Sequence, residues 1–195
     1  FASARFCVRC FTDGSDDATA TIASGYADRG VLVLHDPARN GKSAALNRGA
    51  AVAGGEILVF SDANNDFDPD AIEHLVKAFA DPRVAGATGQ KTVLADSAVG
   101  ESEGLYWRYE AAIRQMESTL GSCTAANGEI LAVRAEAFQP IPADVINDDL
   151  YLAMTILASG RRFVYVPEAI SREKSSDSMS SERERRSRMS AGRFA

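Results

Sequence analysis

Oxygen-bearing side chains punctuate this chain at the places where apolar runs end and helices begin. Ser61-Asp62-Ala63-Asn64 follows the apolar run Ile57 to Phe60. Two apart at the end of a strand, Asp62 and Asn64 can both project into a crevice. A hard cation such as Mg²⁺ or Mn²⁺ takes few protein oxygens and leaves positions for substrate phosphates. A solvated turn that caps the next helix uses the same residue types. Asn40-Gly41-Lys42-Ser43 puts a lysine at a helix N-terminus, where the dipole and free N–H groups attract the same anion. It is not a Walker loop, because Asp36 stands where the first glycine belongs, and an exposed surface lysine is the alternative. Asn147-Asp148-Asp149 opens another helix. Capping accounts for one carboxylate, and a second can face a cleft and take a proton. Arg185-Arg186-Ser187-Arg188 suits a phosphate clamp, or an exposed helix face paired with Glu182 and Glu184.

Two further patterns lead elsewhere. Asp62, Asn64, Asp66, Asp68, Asp70 and Glu73 fall at positions 1, 3, 5, 7, 9 and 12 of a calcium loop. Phe67 replaces the glycine that the loop's turn depends on, Pro69 interrupts it, and a strand precedes it where a helix is required. Cys7-x-x-Cys10 resembles half a zinc site, but residues three apart on a strand face opposite sides, so core cysteines are expected. With Cys123 the count is odd, which favours reduced thiols.

The elements that must position these groups alternate. Phe6 to Phe11 reads as a strand, followed by the polar turn Thr12 to Asp17 and a helix with Ala18, Ile22 and Tyr26 on one face. Val31 to Leu34 is a second strand, and Ser43 to Ala53 a helix with the small face Leu46, Gly49, Ala50, Ala53. Ile57 to Phe60 is the third strand. Asp68-Pro69 supplies an N-cap and a first-turn proline for a helix carrying Ile72, Leu75, Val76 and Phe79. Beyond residue 100 come a long amphipathic helix (Leu105, Tyr109, Ala112, Ile113, Met116, Leu120), a strand at Ile130 to Val133, a helix with Leu150, Ala153, Met154 and Leu157, and a strand at Val164 to Val166. Strands alternating with helices imply an α/β fold with a mostly parallel central sheet flanked by helices and a ligand site at the strands' carboxyl ends.

Composition narrows the function. With 21 Lys and Arg against 27 Asp and Glu, the net charge of -6 argues against a nucleic-acid partner. The apolar runs are far below the roughly 20 residues of a membrane span. The sequence lacks an initiating Met and a secretory pattern, and the expectation is a fragment of a longer protein.

Taken together, the motifs resemble the family 2 glycosyltransferases. Thr12-Asp13-Gly14-Ser15-Asp16-Asp17 is similar to the family's nucleotide-binding turn, Gly41-Lys42-Ser43-Ala44-Ala45-Leu46-Asn47 to its G-K-x-x-A-L-N segment, and Asp62-Ala63-Asn64 to its D-x-D motif. Asp148-Asp149 resembles the E-D catalytic pair, and Arg185-Arg186-Ser187-Arg188-Met189 the Q-x-x-R-W element of membrane-bound members. Asn64 stands in place of the second acid, Asp148 in place of Glu, and Arg185 and Met189 in place of Gln and Trp. The family's opening strand and its later transmembrane helices are not in this sequence, so a catalytic core cut at both ends is expected.

The resemblance implies a GT-A-like nucleotide-binding fold in one catalytic domain over 1–195, with a donor half (1–99) and an acceptor and catalytic half (100–195). It implies inverting transfer of a hexose from a nucleotide sugar, a UDP-sugar among the candidates, to a glycan or lipid-linked acceptor in polysaccharide or glycolipid synthesis. Asp13 would meet the nucleoside, Lys42 the diphosphate, and Asp62 with Asn64 a Mg²⁺ or Mn²⁺. Arg185 and Arg188 would add positive charge near the donor. Asp149 would be the general base, with Asp148 beside it, and Trp107, Asn127 and Gly128 would border the acceptor, a core aromatic being the equal alternative for Trp107. The implied place is the cytoplasmic face of a membrane, reached through segments outside this chain. The alternative is a non-catalytic domain that binds a nucleotide and a divalent ion.

Overall fold

The computed structural model describes residues 6–94 and 99–174, and the side chains of all of these except 93–108 and 174. In chain order the elements are β1 (Val8–Asp13), α1 (Thr19–Ser24), β2 (Val31–Asp36), α2 (Lys42–Val52), β3 (Ile57–Phe60), β4 (Asn65–Phe67), α3 (Ala71–Lys77), β5 (Val84–Leu94), α4 (Val99–Leu120), β6 (Leu131–Arg134), α5 (Asp148–Ala158) and β7 (Arg162–Lys174). Two units divide them. One holds the described residues through Gly55 together with Pro140–Asp144, and the other holds Glu56–Gln139 and the described residues from Val145 onward.

In the first unit β1 and β2 pair in parallel, from Val8 opposite Val31 to Asp13 opposite Asp36. A parallel pair needs a crossover, which α1 supplies. The small face expected of α2 brings it close to β1: a Cβ on Gly49 would lie 3.0 Å from the Phe11 ring. Asn47 holds Pro140–Asp144 to this unit. Its Nδ2 donates to the Ile141 carbonyl and its Oδ1 accepts the Ile141 N–H, both at 2.8 Å, as a peptide group in a sheet would. Two expectations fail here. The helix expected to carry Ala18, Ile22 and Tyr26 on one face is only six residues long, so Ala18 stands at its N-cap position, Tyr26 lies beyond its end under the Arg29 guanidinium, and Ile22 is exposed. Cys7 is also exposed, since the strand begins only at Val8, and Cys10 is partly exposed; Cys123 alone is a core thiol.

The second unit is built on a five-stranded sheet in the order β3-β6-β5-β7-β4. β5 and β7 run parallel, whereas β3 with β6, β5 with β6, and β4 with β7 are antiparallel. The α/β architecture is as expected, but this sheet is mixed, because an apolar run carries no information about strand direction. β5 lacks the apolar signature of a core strand. Its Gly86 lies against the Phe163 ring and its Gly89 against the Ala169 carbonyl, so a side chain at either would displace the neighbouring strand. Close backbone approach requires glycine there, and this is what masks the strand.

Behind the sheet, Ala71 and Leu75 of α3 are fully buried with Phe79, Val84, Ala87, Ile130, Ala132, Val164 and Ala169. Burying a leucine such as Leu75 contributes about 2 kcal/mol. Asp70, not Asp68, stands at the N-cap position of α3. Asp68 is instead held bidentately by Arg172, at 2.6 and 2.7 Å. The expected apolar stripe of α4 faces outward at Tyr109, Met116 and Leu120, the last 90% exposed. Its polar side meets β7: Ser118 Oγ accepts the Tyr165 N–H, and the Ser118 carbonyl accepts from Arg162. The Tyr165 N–H needs an oxygen partner from a side chain here, which an apolar face cannot supply. Among the described residues, no helix is long and apolar enough to cross a membrane.

Candidate active site

Asp13 ends β1 and organises the start of α2. Its Oδ2 accepts the Gly41 N–H at 2.6 Å, and its Oδ1 pairs with Arg48 at 3.2 Å. Burial alone would raise the Asp13 carboxyl, but the Gly41 N–H and the Arg48 guanidinium bring it below the ordinary carboxylate range. Gly41 adopts φ 89°, ψ 166°, a conformation essentially reserved for glycine, and Lys42 follows as the first residue of the helix. Arg48 also pairs with Asp36 at 2.7 Å, and Asp36 accepts from Ala38 N–H and Asn40 Nδ2. Asp13 and Lys42 are thus brought to one loop. Arg48, which joins Asp13 to Asp36, and Asp36 itself carry no motif of their own. Their legible signal was position, at the end of a strand and one and a half turns into the adjoining helix.

Asp62 and Asn64 lie in the turn after β3, closed by the Asn65 N–H on the Asp62 carbonyl. Asp62 is half-buried and Asn64 exposed. Asn64 Nδ2 donates to Glu173 Oε1 at 2.8 Å, which leaves the amide oxygen as the atom able to meet a cation. One carboxylate and one amide oxygen fit a hard ion that keeps most of its positions for water and phosphate. Among the described residues, no three His, Cys, Asp or Glu side chains gather as an all-protein cage, and the calcium-loop spacing produces none.

Asp148 and Asp149 are the first two residues of α5. Asp148 is buried. Asp149 Oδ1 accepts the N–H of Leu150 at 2.7 Å. The turn Asn127-Gly128 lies directly beside it: a Cβ on Gly128 would stand 3.4 Å from Asp149 Cβ and 3.5 Å from Oδ2. Asn127 pins this turn to the sheet. Its N–H donates to Thr88 Oγ1 at 2.9 Å, its Nδ2 to the Gly89 carbonyl at 2.7 Å, and its Oδ1 accepts from Arg114 at 2.8 Å. Arg114 in turn lies over the Tyr165 ring, 6.0 Å from its centroid. Arg114 and Thr88 are the residues that sequence reasoning missed, since a helix arginine and a strand threonine look like any others. Trp107 belongs to α4, but its side chain lies outside the described residues, as do Arg185 and Arg188 entirely.

Residues 5–138 match the family described as glycosyl transferase family 2. The chain belongs to that family. Two solved structures are similar to it. The mannosyltransferase PcManGT from Pyrobaculum calidifontis, in complex with GDP-Man and Mn²⁺, is 25% identical with a TM-score of 0.74, over 86% of this chain and 47% of that one. GalNAc-T7 with UDP, GalNAc and Mn²⁺ is 13% identical with a TM-score of 0.64, over 87% of this chain and 37% of that one, and shows the fold alone. The fold of this family 2 chain is GT-A, and the chain spans less than half the length of either structure. A sequence comparison with curated proteins finds no significant match.

Proposed function

We propose that this family 2 chain is the catalytic core of an inverting glycosyltransferase. It moves a hexose from a nucleotide sugar to an acceptor hydroxyl in polysaccharide or glycolipid synthesis. The observation that supports this best is the half-buried carboxylate of Asp149 at the start of α5, beside a side-chain-free Gly128 on a turn held by three hydrogen bonds. A general base needs a rigid position and access to the acceptor oxygen, and this arrangement suits both.

In this reading Asp149 takes the proton of the acceptor hydroxyl as its oxygen bonds to the anomeric carbon and the bond to the diphosphate breaks. Asp148, buried beside it, steadies the first turn. Gly128 and Trp107 border the acceptor, with Asn127 holding the turn in place. Lys42, at the N-terminus of α2, meets the diphosphate, and Asp13 orders that loop on the nucleoside side. Asp62 and Asn64 would hold a Mg²⁺ or Mn²⁺, whose charge would offset that of the donor's diphosphate. Arg185 and Arg188 add cationic charge near the donor. The two solved relatives carry GDP-Man and UDP, so GDP- and UDP-sugars are the donors to try first. Membrane attachment, if the acceptor is lipid-linked, comes from segments outside this chain.

A second reading has one observation in its favour: the Leu150 N–H on Asp149 gives that carboxylate a purely structural role in the first turn of α5, as it could have in a binding domain. Incubating the protein with a panel of GDP- and UDP-sugars and Mn²⁺, and measuring released nucleoside diphosphate, separates the two. Transfer to an acceptor supports the enzyme, and saturable binding without release supports the binding domain. Calorimetry adds the cation: Asp62→Ala should abolish uptake of the Mn²⁺–nucleotide complex, and equal affinity in excess chelator would contradict the cation's role.

A further inference from the structure

A nearly buried ion cluster lies behind the cation motif, in the same unit. The side chain of Lys91 in β5 is 8% exposed, and its ammonium pairs with Glu173 Oε2 of β7 and, at 2.9 Å, with Glu129 Oε1 just before β6. The contact with Glu129 has the distance of an ion pair without the angle of a hydrogen bond. Removing three charges from water is costly, and one carboxylate would suffice to pair the lysine. The second carboxylate has a further contact: Glu173 Oε1 accepts from Asn64 Nδ2.

An ionised carboxylate can only accept hydrogen bonds, so it can be satisfied only by the NH₂ end of an amide. The two ends of an asparagine amide are nearly the same shape, and half a turn exchanges an oxygen ligand for a donor that repels a cation. We propose that Glu173, held by the Lys91 ammonium that also pairs with Glu129, is a positioning residue that selects the orientation of Asn64 in which Oδ1 is offered to the divalent cation. This allows an amide to serve where the family's motif carries a second acid. The inference rests on the cation reading of Asp62 and Asn64.

The test is a double-mutant cycle on Mn²⁺ affinity, with free Mn²⁺ counted by electron paramagnetic resonance in the presence of GDP and, separately, UDP. Asp62→Ala comes first. Unchanged Mn²⁺ uptake in that variant refutes the cation reading itself, and lost uptake leaves the inference to be judged by the remaining variants. Glu173→Gln should weaken Mn²⁺ binding about 10–100-fold, the usual effect of losing a group that orients a ligand. Asn64→Asp alone should bind no better than the native protein, because two carboxylates then face one another. The double variant Asn64→Asp, Glu173→Gln should recover affinity to within a few-fold of native, the introduced amide now donating to the introduced carboxylate. If Asn64→Asp changes affinity by the same factor whether or not Glu173 is present, the inference is overturned. Thermal melts accompany each variant. Should Glu173→Gln not fold, Glu173→Asp keeps a charge beside Lys91 while drawing it away from Asn64. The same loss is expected there, and unchanged affinity overturns the proposal.

Discussion

Asp149→Asn separates a base from a cap. The side chain keeps an oxygen at the position where Oδ1 accepts the Leu150 N–H at 2.7 Å, so the first turn of α5 retains its partner. Asn is also among the good residues near a helix start, so the cost in stability should be a few tenths of a kcal/mol, against about 1 kcal/mol for Asp149→Ala. The amide cannot take the acceptor's proton. Losing general-base catalysis lowers the rate about 10²–10⁴-fold, equivalent to roughly 2.7–5.4 kcal/mol of transition-state stabilisation. The stability and rate effects therefore differ by several-fold in energy and fall on different measurements. The assay pairs thermal melting with steady-state release of nucleoside diphosphate over a range of acceptor concentrations. Expected are near-native melting, unchanged donor affinity and a kcat reduced at least about a hundredfold. Asp148→Asn should be milder. Full turnover by Asp149→Asn would refute the assignment, and equal losses of stability and activity would return Asp149 to the role of a cap.

Gly128→Ala should melt like the native protein, since its added methyl makes only ordinary contact with Asp149, yet it covers the carboxylate; acceptor kcat/KM should fall about tenfold or more. Unchanged kcat/KM would show that the acceptor approaches from elsewhere. Hydrogen bonding from Arg172 holds the Asp68 carboxyl below its ordinary range, against the opposing effect of burial. The folded value is the lower one, so this stabilisation is complete above about pH 4 and is lost as pH falls through the lowered value. Asp68→Asn should lower the urea midpoint at pH 7 and converge with the native protein as pH falls through the lowered value; a difference independent of pH would exclude the linkage. Burial pushes the Cys123 thiol up to about 11, whereas Cys7 is exposed. A thiol reagent at about pH 8 should therefore label Cys7 in the native protein and Cys123 only after denaturation, as mass spectrometry of digests would report.

Local chemistry was legible in the sequence where one residue type has one use. Gly41 before Lys42 marked the start of α2, Ile57 to Phe60 marked β3 residue for residue, and Asp148-Asp149 marked the start of α5, because backbone geometry, apolar runs and helix dipoles act over a few residues. Tertiary structure decided everything that depends on a partner distant in the chain. β5 is hidden because Gly86 and Gly89 answer to Phe163 and Ala169, some eighty residues away. The stripe on α4 turned outward at Met116 and Leu120 where β7 presented the Tyr165 N–H, which takes the Ser118 hydroxyl oxygen as its acceptor. Asp68 left the cap position for Arg172, 104 residues on, since a bidentate charged pair outweighs one capping bond. The sequence by itself thus determined which residues can do chemistry and that they follow strand ends and helix starts. Only the folded chain decided that Gly128 lies against Asp149 and that Asn64 meets Glu173, because spacing along the chain does not encode which strands become neighbours.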